Sequence, residues 1–507
     1  MKKCFYDIHV HVLNLSHPKL SAFLSPEKIL KKLIGGSSDS KKKLWKSFLN
    51  LFSFLLFPAI ALIIAVIAML WIIGLTIWWF VFIKKPYMWY IKFKVFNRIL
   101  SWKFIDKMIK KIFNTLQFFE IPMEYQFLVL DHTLRPPANK NAEQGRQITI
   151  GNTAYDKIVL CPLVIDFGYK DIPKDDKFNY SLTPKRPVVN QIGDLLYSIR
   201  TYYRFDLVID EKNRKMDISD EIEHFDTIEK KQEKLFEIYP FMGLDTRNYT
   251  LHDVKKMLLK YFKNFNNEPA DERRKRLMEK MGKLDSNMYG DKNNSIDYAD
   301  IFAGIKVYPQ LGFDPYPDTD SDLSKVILTE ELDKEKDEQL DSQLNRVRFL
   351  YQFCCERRIP IITHCSDGGY KTGDNDGLTA PEKKWKKVLE EYPDLTLNFA
   401  HFGAQSNSVK PQWRDAIIEL SKRYPNVYTD ISCNDSELKY YTTLEGLLNN
   451  PSHSELHKKV LFGSDFSINL LVTKVESYSD YLQAFGEAGL THQSDLCEKN
   501  PEKFLFG

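Results

Sequence analysis

The chain of 507 residues is predicted to fold as an α/β protein, a (β/α)8 barrel with an apolar helical insertion after the first strand. Three observations support this prediction. Eight short apolar runs alternate mostly with segments of helical periodicity, which is typical of a parallel sheet. Residues able to bind a metal follow several of these runs, as active-site residues do in a barrel. A long uncharged stretch follows the first run and predicts a membrane segment.

The eight apolar runs are the candidate barrel strands. They cover residues 5–12, 158–167, 236–244, 302–308, 360–364, 395–401, 427–431 and 460–465. Segments with helical periodicity and a charged face include residues 340–357, 385–391 and 413–423. Residues 125–130 are a surplus strand candidate, so the numbering of the early strands could shift by one.

Composition excludes several classes of protein. With 43% hydrophobic and 27% charged residues, the chain is mostly globular. A net charge of +3 is too small to indicate a nucleic-acid partner. The seven cysteines are odd in number and scattered, so we expect a reducing compartment and no disulfide framework. The N-terminal lysines are not followed by an apolar segment before His9, so no signal peptide is expected there.

Three short sequences place metal-binding side chains at the C-terminal ends of apolar runs. They are Asp7-Ile8-His9-Val10-His11, Thr363-His364-Cys365 and Phe462-Gly463-Ser464-Asp465. Two histidines two residues apart on a strand point to the same face of the sheet. Two imidazoles from one strand, a third from another and a carboxylate from the last strand can enclose one divalent metal. A nitrogen and oxygen site with an open position can produce a hydroxide nucleophile near neutral pH.

His401 also lies at the end of an apolar run. A single histidine at a strand end is more often a hydrogen-bonded structural residue than a ligand. Five such residues at the same end of a barrel, however, favour a functional site.

These residues resemble the amidohydrolase superfamily, in the branch that contains metal-dependent hydrolases and the aminocarboxymuconate-semialdehyde and resorcylate decarboxylases. The resemblance covers residues 1–15 and most of residues 150–507, and it does not include the apolar insertion. A proline that often follows the final Asp-aromatic pair is replaced by Ser467. The matching segments are residues 7–11, Ile305-Lys306-Val307-Tyr308-Pro309 with Gly312, Pro360-Ile361-Ile362-Thr363-His364, Phe399-Ala400-His401-Phe402-Gly403, Leu461-Phe462-Gly463-Ser464-Asp465 and residues 500–507.

The resemblance implies a role for each of the matching residues. His9, His11 and His364 are expected to bind the metal, and Asp465 to complete the set and act as general base. His401 is expected to orient or polarise the substrate, or to protonate the leaving group. Lys306 is favoured as a cation that binds an anionic substrate. Carboxylation of Lys306 to bridge a second metal, or pairing with a carboxylate in the barrel, is the alternative.

The leading functional hypothesis is a metal-dependent hydrolase of a small amide, ester or lactone. One divalent ion is expected, with zinc first and manganese or iron as alternatives. A non-oxidative decarboxylase that uses the same residues is the second hypothesis. The third is a catalytically inactive, membrane-bound scaffold or sensor. A small-molecule substrate is expected, whereas its identity and the oligomeric state are left open.

Residues 47–83 carry no charged side chain. A helix needs about 20 apolar residues to span a bilayer, so this run exceeds one span. Trp71, Trp78 and Trp79 near its C-terminal end suit a membrane interface. A buried pair of core helices is the alternative. Residues 89–119 predict a basic amphipathic helix on an anionic surface or, equally, an ordinary solvated helix.

The candidate ligands constrain the topology of this run, because His9 and His11 precede it while His364 and Asp465 follow it. A single crossing would separate them, so we expect a hairpin or a re-entrant segment. Lysines on both flanks favour two cytoplasmic ends. The predicted organisation is strand one with its lead-in (1–40), the insertion (41–120) and the rest of the barrel (121–507). The chain is expected to be membrane-associated, with residues 47–119 contacting lipid and the catalytic domain facing the cytoplasm.

Overall fold

The computed structural model describes residues 2–11, 125–135, 147–167, 188–210, 215–219, 234–282, 284, 298–321, 335–369, 375–405, 412–434, 437–472 and 477–507. All of them belong to the unit formed by residues 1–18 and 117–507; the second unit, residues 19–116, lies outside the described residues. The predicted membrane run at 47–83 and the basic segment at 89–119 therefore lie outside them as well. Among the described helices, none combines the length and the apolar character needed to cross a membrane.

Most strands of the described chain are parallel, and two hairpins account for the others. In chain order the strands are β1 Cys4–Val10, β2 Ile148–Ile150, β3 Thr153–Tyr155, β4 Lys157–Pro162, β5 Leu207–Asp210, β6 Lys215–Ile218, β7 Phe236–Ile238, β8 Phe241–Gly243, β9 Gly304–Val307, β10 Ile361–Thr363, β11 Leu397–Phe399, β12 Val427–Asp430 and β13 Val460–Leu461. The pairs β2–β3 and β5–β6 are antiparallel.

The parallel strands close into a barrel. One sheet has the order β1-β4-β7 and the other has the order β13-β12-β11-β10-β9-β8. Parallel bridges between Leu163 and Phe241 and between Val10 and Phe466 join the two sheets at both edges. Because β7 and β8 are two pieces of one run, the ring contains eight strands, one in each predicted apolar run. The predicted (β/α)8 architecture is confirmed.

Helices follow most barrel strands, as the sequence pattern predicts. Their bounds in the described residues are α1 Gln126–Leu134, α2 Val188–Arg204, α3 Leu251–Tyr261, α4 Ala270–Gly282, α5 Lys336–Arg357, α6 Asp376–Thr379, α7 Lys386–Glu391, α8 Gln412–Arg423, α9 Leu438–Leu448, α10 Asn469–Val472, α11 Tyr478–Gly486 and α12 Asn500–Phe506. Two π-helical turns, Pro381–Trp385 and Asp495–Lys499, lead directly into α7 and α12.

The surplus strand at residues 125–130 is wrong, because this segment begins helix α1. A short apolar run has the same appearance in a strand and in a buried helix, and its tertiary partners decide between them. Here Asp131 supplies the deciding contacts. Its carboxylate accepts hydrogen bonds from the Tyr202 hydroxyl of α2 at 2.5 Å and from the Leu235 amide at 3.1 Å. Helix α1 is thereby packed against α2 and the chain leading into β7.

An aromatic cluster fills the seam between the first and the last strand. The rings of Phe5 and Phe462 lie 4.8 Å apart, and those of Phe462 and Phe485 lie 4.5 Å apart. All three side chains have no exposed surface. Burial of an aromatic side chain stabilises a fold by about 1.5–3 kcal/mol, so this cluster is a major support of barrel closure.

Gly463 lies at this seam, close to the neighbouring strands. A Cβ atom at this position would lie 2.8 Å from the His9 Cβ atom and 3.2 Å from the Ser432 Cβ atom. A side chain here would therefore push β13 away from β1 and β12. Glycine is required by packing, since Gly463 is not among the residues with positive φ.

We predict that Gly463→Ala destabilises the protein by about 1–3 kcal/mol, because the added methyl group overpacks the seam. Urea unfolding followed by circular dichroism measures this change. Gly446→Ala is the matched control, since a Cβ atom there has nothing within 4 Å and the position lies inside α9. The control should be neutral or more stable by about 0.5–1 kcal/mol. Equal stability of the two variants would contradict the packing argument.

Candidate metal centre

The predicted site residues meet at the C-terminal ends of the barrel strands. His9 lies in β1 with His11 just after it, and Lys306 lies in β9. His364 directly follows β10, and His401 lies in the turn that follows β11. Asp465 lies four residues beyond the end of β13. All six side chains are buried. Strand alternation turns His9 and His11 to the same face.

His9, His11 and Asp465 form a compact group of donor atoms. The Asp465 Oδ1 atom lies 3.6 Å from His9 Nε2 and 3.4 Å from His11 Nε2. The opposite nitrogen of each ring is held by the protein: His9 Nδ1 lies 3.1 Å from Asp430 Oδ2, and His11 Nδ1 lies 2.9 Å from the Leu163 carbonyl oxygen. A carbonyl or carboxylate oxygen accepts a hydrogen bond, so Nδ1 of each ring donates and Nε2 presents its lone pair.

Two atoms of this group are buried without a hydrogen-bond partner in the described part of the chain. They are His9 Nε2 and Asp465 Oδ1. A buried polar atom left unpaired is costly, and structures rarely tolerate two that face one another. Imidazole nitrogens and a carboxylate oxygen are the donors that a divalent transition metal prefers. The residues present therefore fit a metal ion, and His9, His11 and Asp465 would hold it.

Burial controls the charge of these groups. It lowers the pKa of His11 well below its ordinary value, and the neighbouring His9 and Lys306 lower it further. The ring of His11 is therefore neutral and able to bind a metal at neutral pH. Burial raises the pKa of Asp465, although His9 and a hydrogen bond from Cys433 oppose the change.

Asp430 and Ser432 belong to the site but were not among its predicted residues. Asp430 Oδ2 accepts a 2.6 Å hydrogen bond from Asn398 Nδ2 and faces His9 Nδ1. Asp430 Oδ1 accepts from the His401 amide at 3.0 Å and from the Ser432 hydroxyl. Burial raises the pKa of Asp430, but the neighbouring His9 and His401 and the hydrogen bond from Ser432 outweigh burial and hold it well below its usual range. Asp430 lies near the C-terminal end of the apolar run 427–431, and this position could have identified it as a site residue from the sequence.

His364 lies beside His401, outside the group of His9, His11 and Asp465. His364 Nδ1 is 3.2 Å from His401 Nε2, and His364 Nε2 is 3.2 Å from the Gly368 carbonyl oxygen. The ring of His364 stacks on Tyr308 with centroids 4.2 Å apart. The structure thus brings three of the four predicted ligands together and places the fourth next to the predicted catalytic histidine.

His401 links the two halves of the site. Its ring centroid lies 4.9 Å from that of His9 and 4.8 Å from that of His364. Its Nδ1 atom lies 2.9 Å from the Ser432 hydroxyl. Burial and the neighbouring His9 lower the pKa of His401 to about 3, so its ring is neutral at physiological pH. His9, His401 and Asp430 form a second group of closely spaced donor atoms that shares His9 with the first.

Lys306 is a buried amine within this polar layer. Its side chain is 1% exposed, and in the described residues its Nζ atom has no hydrogen-bond partner. Nζ lies 5.8 Å from the centre of the Tyr308 ring. Burial lowers the pKa of Lys306 to about 8, while the negative charges of Asp430 and Asp465 oppose this change.

Backbone strain is concentrated at the strand ends that form the site. His401, Cys433 and Asp465 have positive φ angles of 62°, 57° and 56°. Residues other than glycine rarely adopt this conformation, and it is concentrated where function requires it. The Asp465 amide donates to the His9 carbonyl oxygen at 2.6 Å, which helps to hold the carboxylate in place.

The C-terminal part of the chain is similar to a known protein family. The amidohydrolase family model matches residues 299–507. This range contains Lys306, His364, His401 and Asp465, whereas His9 and His11 lie outside it. No curated protein matches the chain.

Several solved structures are similar to parts of the chain. A TIM-barrel protein from Bordetella bronchiseptica is 17% identical, with a TM-score of 0.26, over 53% of this chain and 78% of that chain. An amidohydrolase from Bifidobacterium longum subsp. infantis is 16% identical, with a TM-score of 0.21, over 32% and 54%. A probable 2-pyrone-4,6-dicarboxylic acid hydrolase from Acinetobacter baumannii is 11% identical, with a TM-score of 0.29, over 54% and 73%.

The resemblance to the decarboxylase-containing branch stays a prediction, because none of these similarities selects that branch. The superfamily itself is supported by the family match at the C-terminal strands of the barrel. The C-terminal part of the chain, residues 299–507, matches the amidohydrolase family.

Proposed function

We propose that the protein is a metal-dependent hydrolase of a small amide, ester or lactone. The observation that carries this proposal is the convergence of His9 Nε2, His11 Nε2 and Asp465 Oδ1 in a buried layer. Zinc is the first choice of metal because imidazole suits it, with manganese and iron as alternatives. A divalent ion held there would lower the pKa of a bound water and polarise a carbonyl oxygen.

Asp465 is the proposed general base. Its raised pKa brings the carboxylate closer to the pH at which it can both accept and return a proton. The strained backbone at Asp465 and the hydrogen bond from its amide to the His9 carbonyl oxygen aim the carboxylate at the two histidines. A proton taken from the attacking water would reside on a carboxylate oxygen of Asp465.

His401 is proposed to orient the substrate. A histidine whose pKa is lowered to about 3 is a poor proton donor near neutral pH, because its cationic form is scarcely populated. A neutral imidazole can still donate one hydrogen bond to a substrate oxygen. The physical argument therefore favours orientation and polarisation over protonation of the leaving group.

Lys306 is proposed to bind an anionic group of the substrate. A buried ammonium group with no hydrogen-bond partner in the described residues is an effective site for a carboxylate. Carboxylation of Lys306 to bridge a second metal is the alternative. It is supported by His364 Nδ1 and His401 Nε2, which approach to 3.2 Å and could serve as a second ligand pair. The number of metal ions per chain separates these two roles.

A non-oxidative decarboxylase is the second candidate function. The buried Lys306 ammonium group, which has no hydrogen-bond partner among the described residues, favours it, because a decarboxylase must bind a substrate carboxylate. The same residues would hold the metal in both cases. Release of carbon dioxide from aromatic or dienoic acids, against hydrolysis of esters and lactones, distinguishes the two reactions.

We also propose that the protein is membrane-associated, with its barrel facing the cytoplasm. Residues 41–120 would form a hairpin or a re-entrant segment, and residues 47–119 would contact lipid. The uncharged run at 47–83 and the lysines on both of its flanks support this proposal.

Asp465→Asn is predicted to lower turnover by a factor of about 100 or more, because the amide cannot act as a base. It should also weaken metal binding, measured by elemental analysis of the purified protein and by competition with a chelator. Asp415→Asn is the control, since Asp415 is an exposed residue of α8. Unchanged activity of Asp465→Asn would overturn the assignment. Wild-type protein with no bound metal and no stabilisation by metal would favour the inactive scaffold.

Lys306 should produce a pH dependence in substrate binding. With its pKa lowered to about 8, the amine is a cation below this pH and neutral above it. The KM for a carboxylated lactone should therefore rise by up to about tenfold per pH unit above pH 8, while a neutral lactone shows no such change. In Lys306→Gln this pH dependence should be absent. A KM that varies equally for both lactones would contradict the role of Lys306.

Extraction by alkaline carbonate tests the membrane proposal. The full chain should remain with the membrane in carbonate and should be released by detergent. The variant with Leu62→Lys, Ile64→Lys and Val66→Lys should appear in the carbonate supernatant, because each charge costs about 2.5–3.5 kcal/mol in the middle of a bilayer. Release of the wild-type chain by carbonate would show that the apolar run is not inserted.

A further inference from the structure

A second histidine cluster lies at the opposite end of the barrel from the candidate metal centre. It consists of His457, His492 and Asp495 and is called here the His457 cluster. His457 lies in the 3-10 turn Leu456–Lys458, immediately before β13, whereas Asp465 lies beyond the other end of that strand. Asp495 begins the π-helical turn that leads into α12. The cluster therefore lies at the N-terminal face of the barrel, which in this fold supports stability.

The donor atoms of the His457 cluster converge on one oxygen. Asp495 Oδ2 lies 2.8 Å from His457 Nδ1 and 3.3 Å from His492 Nδ1. The two imidazole rings stack with centroids 3.9 Å apart and an interplanar angle of 17°. Both Nδ1 atoms lie on the same side of the ring pair, next to Asp495 Oδ2. The two imidazole nitrogens and the carboxylate oxygen are therefore close enough to bind one ion.

The cluster is reachable from solvent. The side chains of His457, His492 and Asp495 are 17%, 26% and 14% exposed. An ion could therefore enter without unfolding of the barrel, and solvent could occupy the remaining coordination positions. Lys499 pairs with the other carboxylate oxygen of Asp495 at 2.8 Å, but its side chain is 71% exposed and can move away.

The carboxylate of the His457 cluster also suits a cation. Burial raises the pKa of Asp495, but hydrogen bonds from Lys499 and His457 outweigh burial and lower it below its ordinary value. The carboxylate is therefore ionised at neutral pH. A neutral ring can move its proton from Nδ1 to Nε2 and so present the Nδ1 lone pair.

We propose that His457, His492 and Asp495 form a structural metal site, separate from the catalytic centre, that binds a transition-metal dication such as Zn²⁺. Two imidazole nitrogens and one carboxylate oxygen suit zinc, nickel or copper, and they do not suit magnesium or calcium. The ion would join the turn before β13 to the segment before α12.

This connection would stabilise the N-terminal end of the last barrel strand, β13. The Phe462 amide donates to the Leu496 carbonyl oxygen at 2.8 Å, and Asn500 Nδ2 donates to the His457 and Val460 carbonyl oxygens at 2.7 and 2.8 Å. The segment that contains His492 and Asp495 is thus already paired to β13 and its entry turn. A metal ion would add a further link between the same two segments.

The test is a titration of the metal-stripped full chain with Zn²⁺ alone, against a competing chelator. The variant with both His457→Gln and His492→Gln should bind one fewer zinc ion per chain than the wild type. His252→Gln is the matched control, because His252 is an exposed histidine of α3 outside both clusters, and it should bind as many ions as the wild type. Asp465→Asn should retain the ion of the His457 cluster, which separates the two sites.

A second measurement is thermal unfolding. At zinc concentrations of about 100 times Kd, the Tm of the wild type should rise by about 3 °C more than that of the double variant. If the double variant does not fold, as judged by circular dichroism, the single variant His492→Asn replaces it, since this side chain is partly exposed. Equal zinc stoichiometry and an equal Tm shift in the wild type and the folded variant would overturn the proposal.

Discussion

The hydrogen bonds between the first and the last barrel strand are the constraint on which the candidate site depends. The Ile8 amide donates to the Phe462 carbonyl oxygen at 3.2 Å, and the Asp465 amide donates to the His9 carbonyl oxygen at 2.6 Å. These bonds close the ring and bring residues from opposite ends of the chain into one layer. Asp7 reinforces the same seam, because its carboxylate accepts from the Ser464 amide and the Tyr478 hydroxyl, both at 2.9 Å.

The polar residues inside the barrel hold one another in defined orientations. Asp430 fixes the ring of His9 and the backbone of His401, while Ser432 bridges the two rings. In a buried layer each of these hydrogen bonds is strong, since water does not compete for the same groups. Within the described residues, His9 Nε2 and Asp465 Oδ1 have no hydrogen-bond partner although their neighbours hold them firmly in place. Their position beside His11 Nε2 is the physical basis for placing the metal there.

The two ends of the barrel carry histidine clusters of different character. At the C-terminal end, burial lowers the pKa of His11 and of His401, and strained backbone follows the strands. At the N-terminal end, the His457 cluster is partly exposed and its carboxylate is paired with Lys499. The first arrangement suits chemistry on a substrate. The second suits a connection between two segments of chain.

The sequence by itself determined the eight barrel strands, because continuous apolar runs and their alternation with helices are local properties of the chain. It also placed His9, His11 and Asp465 at the same end of the barrel, since all three follow apolar runs. Only the tertiary structure decided that residues 126–134 form a helix, because a short apolar run depends on its packing partners. The tertiary structure also revealed Asp430 and Ser432 as partners of His9 and placed His364 beside His401. Those contacts join side chains from different strands, and no spacing along the chain specifies them.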